Sequence, residues 1–445
     1  MRDKAYLKGA AAISAGGIIS KLLGAFYRIP LLSLLGSRGM GIYQMVYPLY
    51  CMLLTLSASG LPTGIARAMS SGQCTFAERP AFWLCGFMGA AGWLIMSVLA
   101  PVLAAAQGEA EVALCCKILA PSVFLVSLIS VVRGCFQGRG YMLPTAVTEV
   151  FEQLVKVLCG IAFCMLRPSP ASAVLAVTLS EVCCLALALA MYRSAGGSKV
   201  PLGYRPSRYY PCILKNTAPL ALSAMAQPLS QLAESVVVVA LLRAASQDAT
   251  ALWGVFSGCA VTLISLPASA AYGLAAAAVP RVARAGGRGD AELARSRVTK
   301  SLLFTLALAL PSAIALFAFS PFAVSVIFSS LSGGERLLVV RLVKAMCLSA
   351  VAMPLVQTSS ACLAALGRAS LGAVTQWSTC LVRVALSAAA VTALSSVTGA
   401  AISANICNLV AVALNLWYIY GVRGDKNAHN SHRFGNKRRR YDAVG

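Results

Sequence analysis

From about residue 9 to residue 421 the sequence is a succession of apolar stretches, most of them about 20 to 30 residues long, separated by short polar turns. The hydrocarbon core of a bilayer is about 30 Å thick and takes about 20 helical residues to cross. Inside lipid every backbone N–H and C=O must be satisfied within the protein, so stretches of this length cross as α-helices. Only 11% of the residues are charged and 59% are hydrophobic, against about 25% charged in soluble domains. The pattern predicts an all-α polytopic membrane protein of about twelve transmembrane helices. They fall at roughly 9–35, 43–66, 80–106, 112–132, 143–166, 171–192, 214–242, 251–279, 299–328, 342–366, 369–395 and 398–421. Arg2, Lys4 and Lys8 precede the first run as they would in a secretory leader. The run is too long for one and lacks a small-residue cleavage site, so it reads as an uncleaved first helix.

The distribution of charge sets the expected topology. With both termini cytoplasmic, the outer segments hold few basic residues, Arg38, Arg167, Arg243 and Arg336 among them, while six lie between 281 and 300 and seven from 423 onward. This is the positive-inside bias, and it accounts for most of the net charge of +23 without a nucleic-acid partner. The tail, 423–445, with its Lys437-Arg438-Arg439-Arg440 run, is expected to be disordered and to lie against anionic lipid headgroups.

Several chemistries are excluded. The sixteen cysteines contain no C-x-x-C pair, and both histidines, His429 and His432, fall in the tail. A metal site in the membrane is not expected, and buried thiols read as small hydrophobes. No G-x-x-x-x-G-K-[ST] loop and no Ser/His/Asp set is present, so neither an enzyme nor an ATP-driven machine is expected, and no cofactor.

The chain repeats itself. Cys135 to Val157 aligns without gaps on Cys362 to Val384 at an offset of 227, with Cys, Gly, Ala-Val-Thr, Val and Val coinciding and Lys156 matching Arg383. Leu61-Pro62 is echoed by Leu266-Pro267. Two six-helix units are therefore expected, 1–192 and 214–422, joined by a cytoplasmic loop at 193–213. Both start on one side of the membrane, so the repeat is parallel.

Polar groups inside the apolar runs mark a cavity. Gly17, Lys21, Gly24 and Arg28 share one helical face. A charge at the bilayer centre costs about 2.5–3.5 kcal/mol, so two on one face imply a water-filled cavity, a partner acid or a bound anion. Thr145, Glu149, Glu152 and Lys156 form a second such face, on which Glu152 and Lys156 are spaced to neutralise each other. Ser223, Gln227, Gln231 and Glu234 form a third, with Pro228 expected to interrupt the helix. Gln376, Thr379 and Arg383 form a fourth, and Glu181 is a further acid within a helix.

Four segments carry a family resemblance: GIISKLLGAFYRIPLLSLLGSRGMGIYQMVYPLY (17–50), LSASGLPTGIARAMS (56–70), RGCFQGRGYMLPTAVTEVFEQLVKV (133–157) and LPASAAYGLAAAAVPRVARA (266–285). They resemble the polysaccharide biosynthesis proteins of the stage V sporulation protein B type. These belong to the multidrug/oligosaccharidyl-lipid/polysaccharide exporter superfamily, with the MurJ lipid II flippases and the MATE drug exporters. The resemblance implies a multi-pass protein of a bacterial cell membrane that flips a polyprenyl-pyrophosphate-linked saccharide, such as lipid II or another cell-wall precursor, by alternating access. It implies substrate-binding roles for Lys21, Arg28 and Arg67. A coupling or cavity role falls to Glu149, Glu152, Lys156, Gln227, Gln231, Glu234 and Arg383, with H+, Na+ or the membrane potential driving the cycle. Lipid II flippases have fourteen helices, and the twelve counted here leave no counterpart for the last two. A MATE-type cation exporter and a membrane scaffold for cell-wall synthesis enzymes are the alternatives. The first needs an acid-dominated cavity, and the second predicts harmless cavity substitutions.

Overall fold

The computed structural model describes residues 2–58, 62, 65, 78–195, 210–245, 247–287 and 290–421. These residues are helical and contain no strand. In chain order the helices are α1 (Arg2–Ala58), α2 (Glu78–Gln107), α3 (Ala110–Gly138), α4 (Leu143–Leu166), α5 (Pro170–Ser194), α6 (Tyr210–Ala244), α7 (Ala249–Trp253), α8 (Val261–Gly287), α9 (Ala291–Ile327), α10 (Gly333–Ala345), α11 (Cys347–Ala365), α12 (Ala369–Leu394) and α13 (Thr398–Tyr420). Among the described residues ten helices are long and apolar enough to cross a membrane.

Two differences separate this number from the expected twelve. The first two predicted helices are one element, α1, broken at a single residue, Gly36, with φ 68° and ψ 179°. A side chain is strained at such a φ, and glycine is not. The polar run Ser37-Arg38-Gly39 reads as a loop, but the helix resumes at once after Gly36. The other difference is α4, long and apolar enough to cross but carrying three charged residues, Glu149, Glu152 and Lys156, within its span.

Three local expectations are corrected. α6 runs without interruption through Pro228. The turn expected after residue 328 contains a helix, α10, whose start is a capping box: Ser332 and Glu335 each bond the other's backbone N–H. That S-x-x-E signature was legible in Ser332-Gly333-Gly334-Glu335. Arg133, assigned to a cytoplasmic turn, lies inside α3.

The predicted 227-residue echo has a local structural counterpart. α3 ends with Gly140 at φ 83° and α11 with Gly367 at φ 78°. The closing hydrogen bonds match one for one: Gly140 N–H to Gln137 O and Tyr141 N–H to Phe136 O, against Gly367 N–H to Ala364 O and Arg368 N–H to Leu363 O. After these ends α4 packs on α1 and α5, and α12 packs on α6 and α13.

One large core joins both halves of the chain at the end that carries Gly36, Gly108 and the 245–250 turn. It contains Leu31, Leu32, Met40, Leu49, Leu119, Leu242, Phe256 and Phe328. α1 meets the π-helical turn Gly254–Ala260 closely there, since a Cβ on Gly41 would strike the Thr250 carbonyl and one on Gly254 the Ser37 carbonyl. At the opposite end the core of the described residues is divided. One cluster, with Ile65, Cys135 and Tyr192, belongs to the first half, and another, with Val282, Leu363 and Ile419, to the second. Among the described residues the halves thus share one core at one end and hold separate clusters at the other.

Candidate functional site

A cavity of about 280 Å3 lies between the halves. The first arm of α1 lines it with Ser20, Lys21, Tyr27 and Arg28, the second arm with Tyr43 and Tyr47, α4 with Gln153 and Lys156, and α8 with Thr262, Ser265 and Ser269. Glycine lets α1 and α4 approach here: Gly16 abuts Ala146, and Gly160 abuts the Tyr27 ring. Arg28 Nη1 donates to Thr262 Oγ1 at 3.0 Å, and the Thr262 hydroxyl donates to Gly258 O at 2.7 Å. Tyr43 and Tyr47 stack with ring centroids 5.5 Å apart.

Lys21, Arg28 and Lys156 therefore share one wall system, and none of the described residues lining the cavity is acidic. Lys156 is 9% exposed and makes no hydrogen bond or ion pair with the described residues. Ser20 Oγ, Tyr27 Oη and Gln153 Oε1 are buried without a hydrogen-bond partner. Buried polar atoms normally find one, so the cavity is equipped for a polar guest. Sequence reasoning placed Lys21 and Arg28 on one face and Lys156 on a separate one. It missed Tyr43, Tyr47, Gln153 and the α8 hydroxyls, whose only signal was an i, i+3, i+7 spacing of Thr262, Ser265 and Ser269. Arg67 lies outside the described residues.

The expected Glu152–Lys156 neutralisation does not form. Glu152 Oε2 instead accepts from Arg133 Nη2 at 2.9 Å, and Arg133 Nε donates to Thr148 Oγ1 at 3.1 Å. The guanidinium arrives from α3, which sequence reasoning had ended too early to see. Glu149 is the outer neighbour of this pair on α4 and lies within electrostatic reach of Arg133.

A second cavity, of about 240 Å3, lies in the second half. It is lined by Gln227 and Gln231 of α6, Gln357 of α11, Gln376 and Arg383 of α12 and Asn408 of α13, among others. Glu234 is not among the lining residues. It is 1% exposed, and its two oxygens accept from Arg383 Nε and Ser387 Oγ, each at 2.9 Å. The two cavities thus differ in charge: three cations line the first, and the arginine of the second is bonded to a buried acid.

At the closed end Glu109 ties the halves together. Its carboxylate accepts from Arg38 Nη2 at 3.0 and 3.2 Å, from Arg243 Nη2 at 3.4 Å and from the Thr250 hydroxyl at 2.6 Å. Arg243 Nη1 also donates to Gly108 O at 2.6 Å.

A bundle of this topology, sealed at one end over an interior polar cavity, is the fold of the multidrug/oligosaccharidyl-lipid/polysaccharide exporter superfamily of transporters. An inward-facing MATE multidrug transporter superposes with a TM-score of 0.75 over 93% of this chain and 98% of that one, at 16% identity. The lipid II flippase MurJ in an inward closed conformation gives 0.73 over 92% and 87%, at 12% identity. Within that class the chain belongs to the polysaccharide biosynthesis protein family, which it matches over residues 6–285; residues 219–389 match the MatE family. Stage V sporulation protein B of Bacillus subtilis (strain 168) is 24% identical over 352 residues, 74% of this chain and 68% of that protein. Lipid II flippase MurJ of the same organism is 26% identical over 168 residues, 34% of this chain and 31% of that protein. The chain is a multi-pass membrane transporter, not an enzyme, with bacterial homologues.

Proposed function

We propose that the protein flips a polyprenyl-pyrophosphate-linked saccharide, a cell-wall precursor of the lipid II type, across a bacterial cell membrane. The observation that carries this reading is the cavity lined by Lys21, Arg28 and Lys156, with no acid among its described lining residues. Charge-assisted hydrogen bonds from Arg and Lys suit pyrophosphate oxygens, and the serine, threonine and tyrosine hydroxyls around them suit the adjoining sugar. The sequence similarity to lipid II flippase MurJ supports the same class of substrate.

In this reading the chain crosses the membrane twelve times, α1 twice and α4 once in addition to the other apolar helices, with both termini cytoplasmic. Lobes 1–192 and 214–422 are parallel repeats, and the divided end faces the cytoplasm. The lobes rock about the cavity and expose it to each side in turn. Moving one net charge across the membrane is worth about 2.3 kcal/mol per 100 mV, so the potential contributes to the direction of flipping. Arg67 and the tail remain as a second cationic contact and a headgroup contact in this scheme. Glu234 and Glu152 are each bonded to an arginine, which argues against a Na+ or drug cation at either and hence against a cation exporter.

The test is a flipping assay on the purified chain in liposomes, comparing lipid II with teichoic and capsular lipid-linked precursors. Accelerated flipping of one of these, lost in Lys156→Ala and Lys21→Ala, is expected. Wild-type rates no greater than protein-free vesicles for all three precursors would overturn the reading. Unimpaired flipping in both alanine variants would remove the cationic cavity from it.

A further inference from the structure

Glu181 is a buried acid that the flipping scheme leaves unused. It sits on α5 and is 3% exposed. Its Oε1 accepts from the Tyr50 hydroxyl at 3.4 Å, a long bond, and its Oε2 has no partner. The charged and titratable groups facing it are Tyr47 and Tyr50 of α1, Arg133 of α3, and Glu152 and Lys156 of α4, with Cys184 one turn along α5. Of the two cations, Arg133 is already bonded to Glu152 and Thr148. Lys156 is not bonded directly to any described residue. It is within electrostatic reach of Glu181, Glu152 and Arg28, and it lines the cationic cavity.

An ionised carboxylate with one long hydrogen bond in a membrane interior is costly, whereas the neutral acid is not. The ionised form of Glu181 therefore leans on Lys156. The same ammonium lines the cavity, so it answers two anions, Glu181 and any anion in the cavity. It cannot serve both at full strength.

We propose that Glu181 is a proton-binding site linked to anion binding in the Lys21–Arg28–Lys156 cavity. With the cavity empty, Glu181 is ionised and balances Lys156. When a pyrophosphate group enters, its oxygens engage the Lys156 ammonium, and Glu181 takes one proton from water. When the anion leaves, that proton is released. One proton enters per anion bound, and no covalent bond changes. Linkage is reciprocal. Where Glu181 is ionised in the empty state and neutral in the loaded one, the affinity for the anion rises up to tenfold for each unit fall in pH. This inference rests on the cavity being an anion site, as proposed above.

The experiment is calorimetric titration of the full chain in lipid nanodiscs with inorganic pyrophosphate, at several pH values and in buffers of different ionisation heat, which counts the protons taken up. The ligand's own titration is common to all variants and cancels between them. Wild type is expected to take up close to one proton more than Glu181→Gln. The glutamine variant, which mimics the neutral acid, should match wild-type affinity at low pH and exceed it tenfold or more at high pH. Tyr50→Phe is the second variant. It removes the bond that supports the ionised acid, so the wild-type pH profile should move to higher pH, which keeps the test open if Glu181→Gln does not fold. Equal proton counts in wild type and Glu181→Gln, or for a non-folding glutamine variant an unshifted profile in Tyr50→Phe, would overturn the proton site alone. Absence of pyrophosphate binding to wild type at every pH would overturn the anion cavity and the proton site with it.

Discussion

Arg28 on α1 and Thr262 on α8 are 234 residues apart in sequence and meet at 3.0 Å. The contact crosses from the first half of the chain to the second inside the cationic cavity, so a guest that takes the Arg28 guanidinium also loosens a tie between the halves. Thr262→Val removes the acceptor for Arg28 and the hydroxyl's own bond to Gly258 O, and leaves the guanidinium in place. A neutral hydrogen bond contributes about 0.5–1.5 kcal/mol and one to a charged group about 1.5–3, so a small loss of thermal stability is expected, with flipping retained. Arg28→Ala should leave stability within about 1 kcal/mol of wild type and abolish flipping. Thermal unfolding and the liposome assay, run side by side, separate the two. A Thr262→Val variant as inactive as Arg28→Ala would mean that the contact, rather than the charge, is what transport needs.

The Arg383–Glu234 pair behaves differently from Lys156, although the 227-residue repeat matches Arg383 to Lys156. Arg383→Ala would leave Glu234, 1% exposed, with only the Ser387 hydroxyl. Breaking a buried pair from one side costs about 3–5 kcal/mol, whereas replacing both partners is often close to neutral. Arg383→Ala is therefore expected to unfold several degrees earlier than wild type, and Arg383→Met combined with Glu234→Gln to recover most of the loss. Lys156→Met should cost less than Arg383→Ala, because no described carboxylate is bonded directly to it. Equal destabilisation in the two single variants, measured by thermal shift in the same detergent, would contradict this asymmetry.

How far the sequence foretold this site depends on the range of the interaction. Apolar length and one pair of helix ends were local and legible: Gly140 and Gly367 are the matched glycines of the 135–157 and 362–384 segments. The cationic face of α1 was legible from spacing alone. What spacing could not supply was the partner across a helix interface. Glu152 had two basic candidates, and the intrahelical one, Lys156, was the nearer in sequence. Arg133 won because α3 extends past the expected membrane boundary, to Gly138. Gly36 escaped for a related reason: one φ of 68° replaces a loop, and no polar run is needed to make that turn.

Glu109 at the closed end offers a handle on the conformational equilibrium. Arg38 and Arg243 are largely exposed, with side-chain accessibilities of 61% and 43%, so each ion pair is worth about 0.2–1 kcal/mol. The buried bond from Thr250 adds to them. Glu109→Ala removes all three at once and should shift the population toward states open at this end by about 5- to 150-fold, the range of 1–3 kcal/mol. Accessibility of a cysteine placed at Gln247 to a membrane-impermeant maleimide is the readout. An increased labelling rate is expected in Glu109→Ala and an unchanged one in Glu111→Ala, which lies two residues further along and makes none of these bonds. No change in either would mean that the apolar core at this end holds the halves together without the carboxylate.

The contact between Gly160 and Tyr27 sets the shape of the cavity wall. A Cβ on Gly160 would run into the Tyr27 hydroxyl and ring edge, so Gly160→Ala forces the tyrosine toward Lys21 and Arg28. Overpacking of this kind typically costs about 1–3 kcal/mol. The Tyr27 hydroxyl is itself buried without a hydrogen-bond partner, and a buried donor left unsatisfied costs about 1–3 kcal/mol. Tyr27→Phe alone is therefore expected to be neutral or stabilising in thermal unfolding. It also empties part of the space that a Cβ at 160 would need. The double variant should accordingly be more stable than the sum of the two singles, by about 0.5–3 kcal/mol of coupling, with flipping partly restored relative to Gly160→Ala. Strict additivity would place the clash elsewhere. A Tyr27→Phe variant that folds normally and fails to flip would instead assign the hydroxyl to the guest, as one of the buried polar atoms waiting for it.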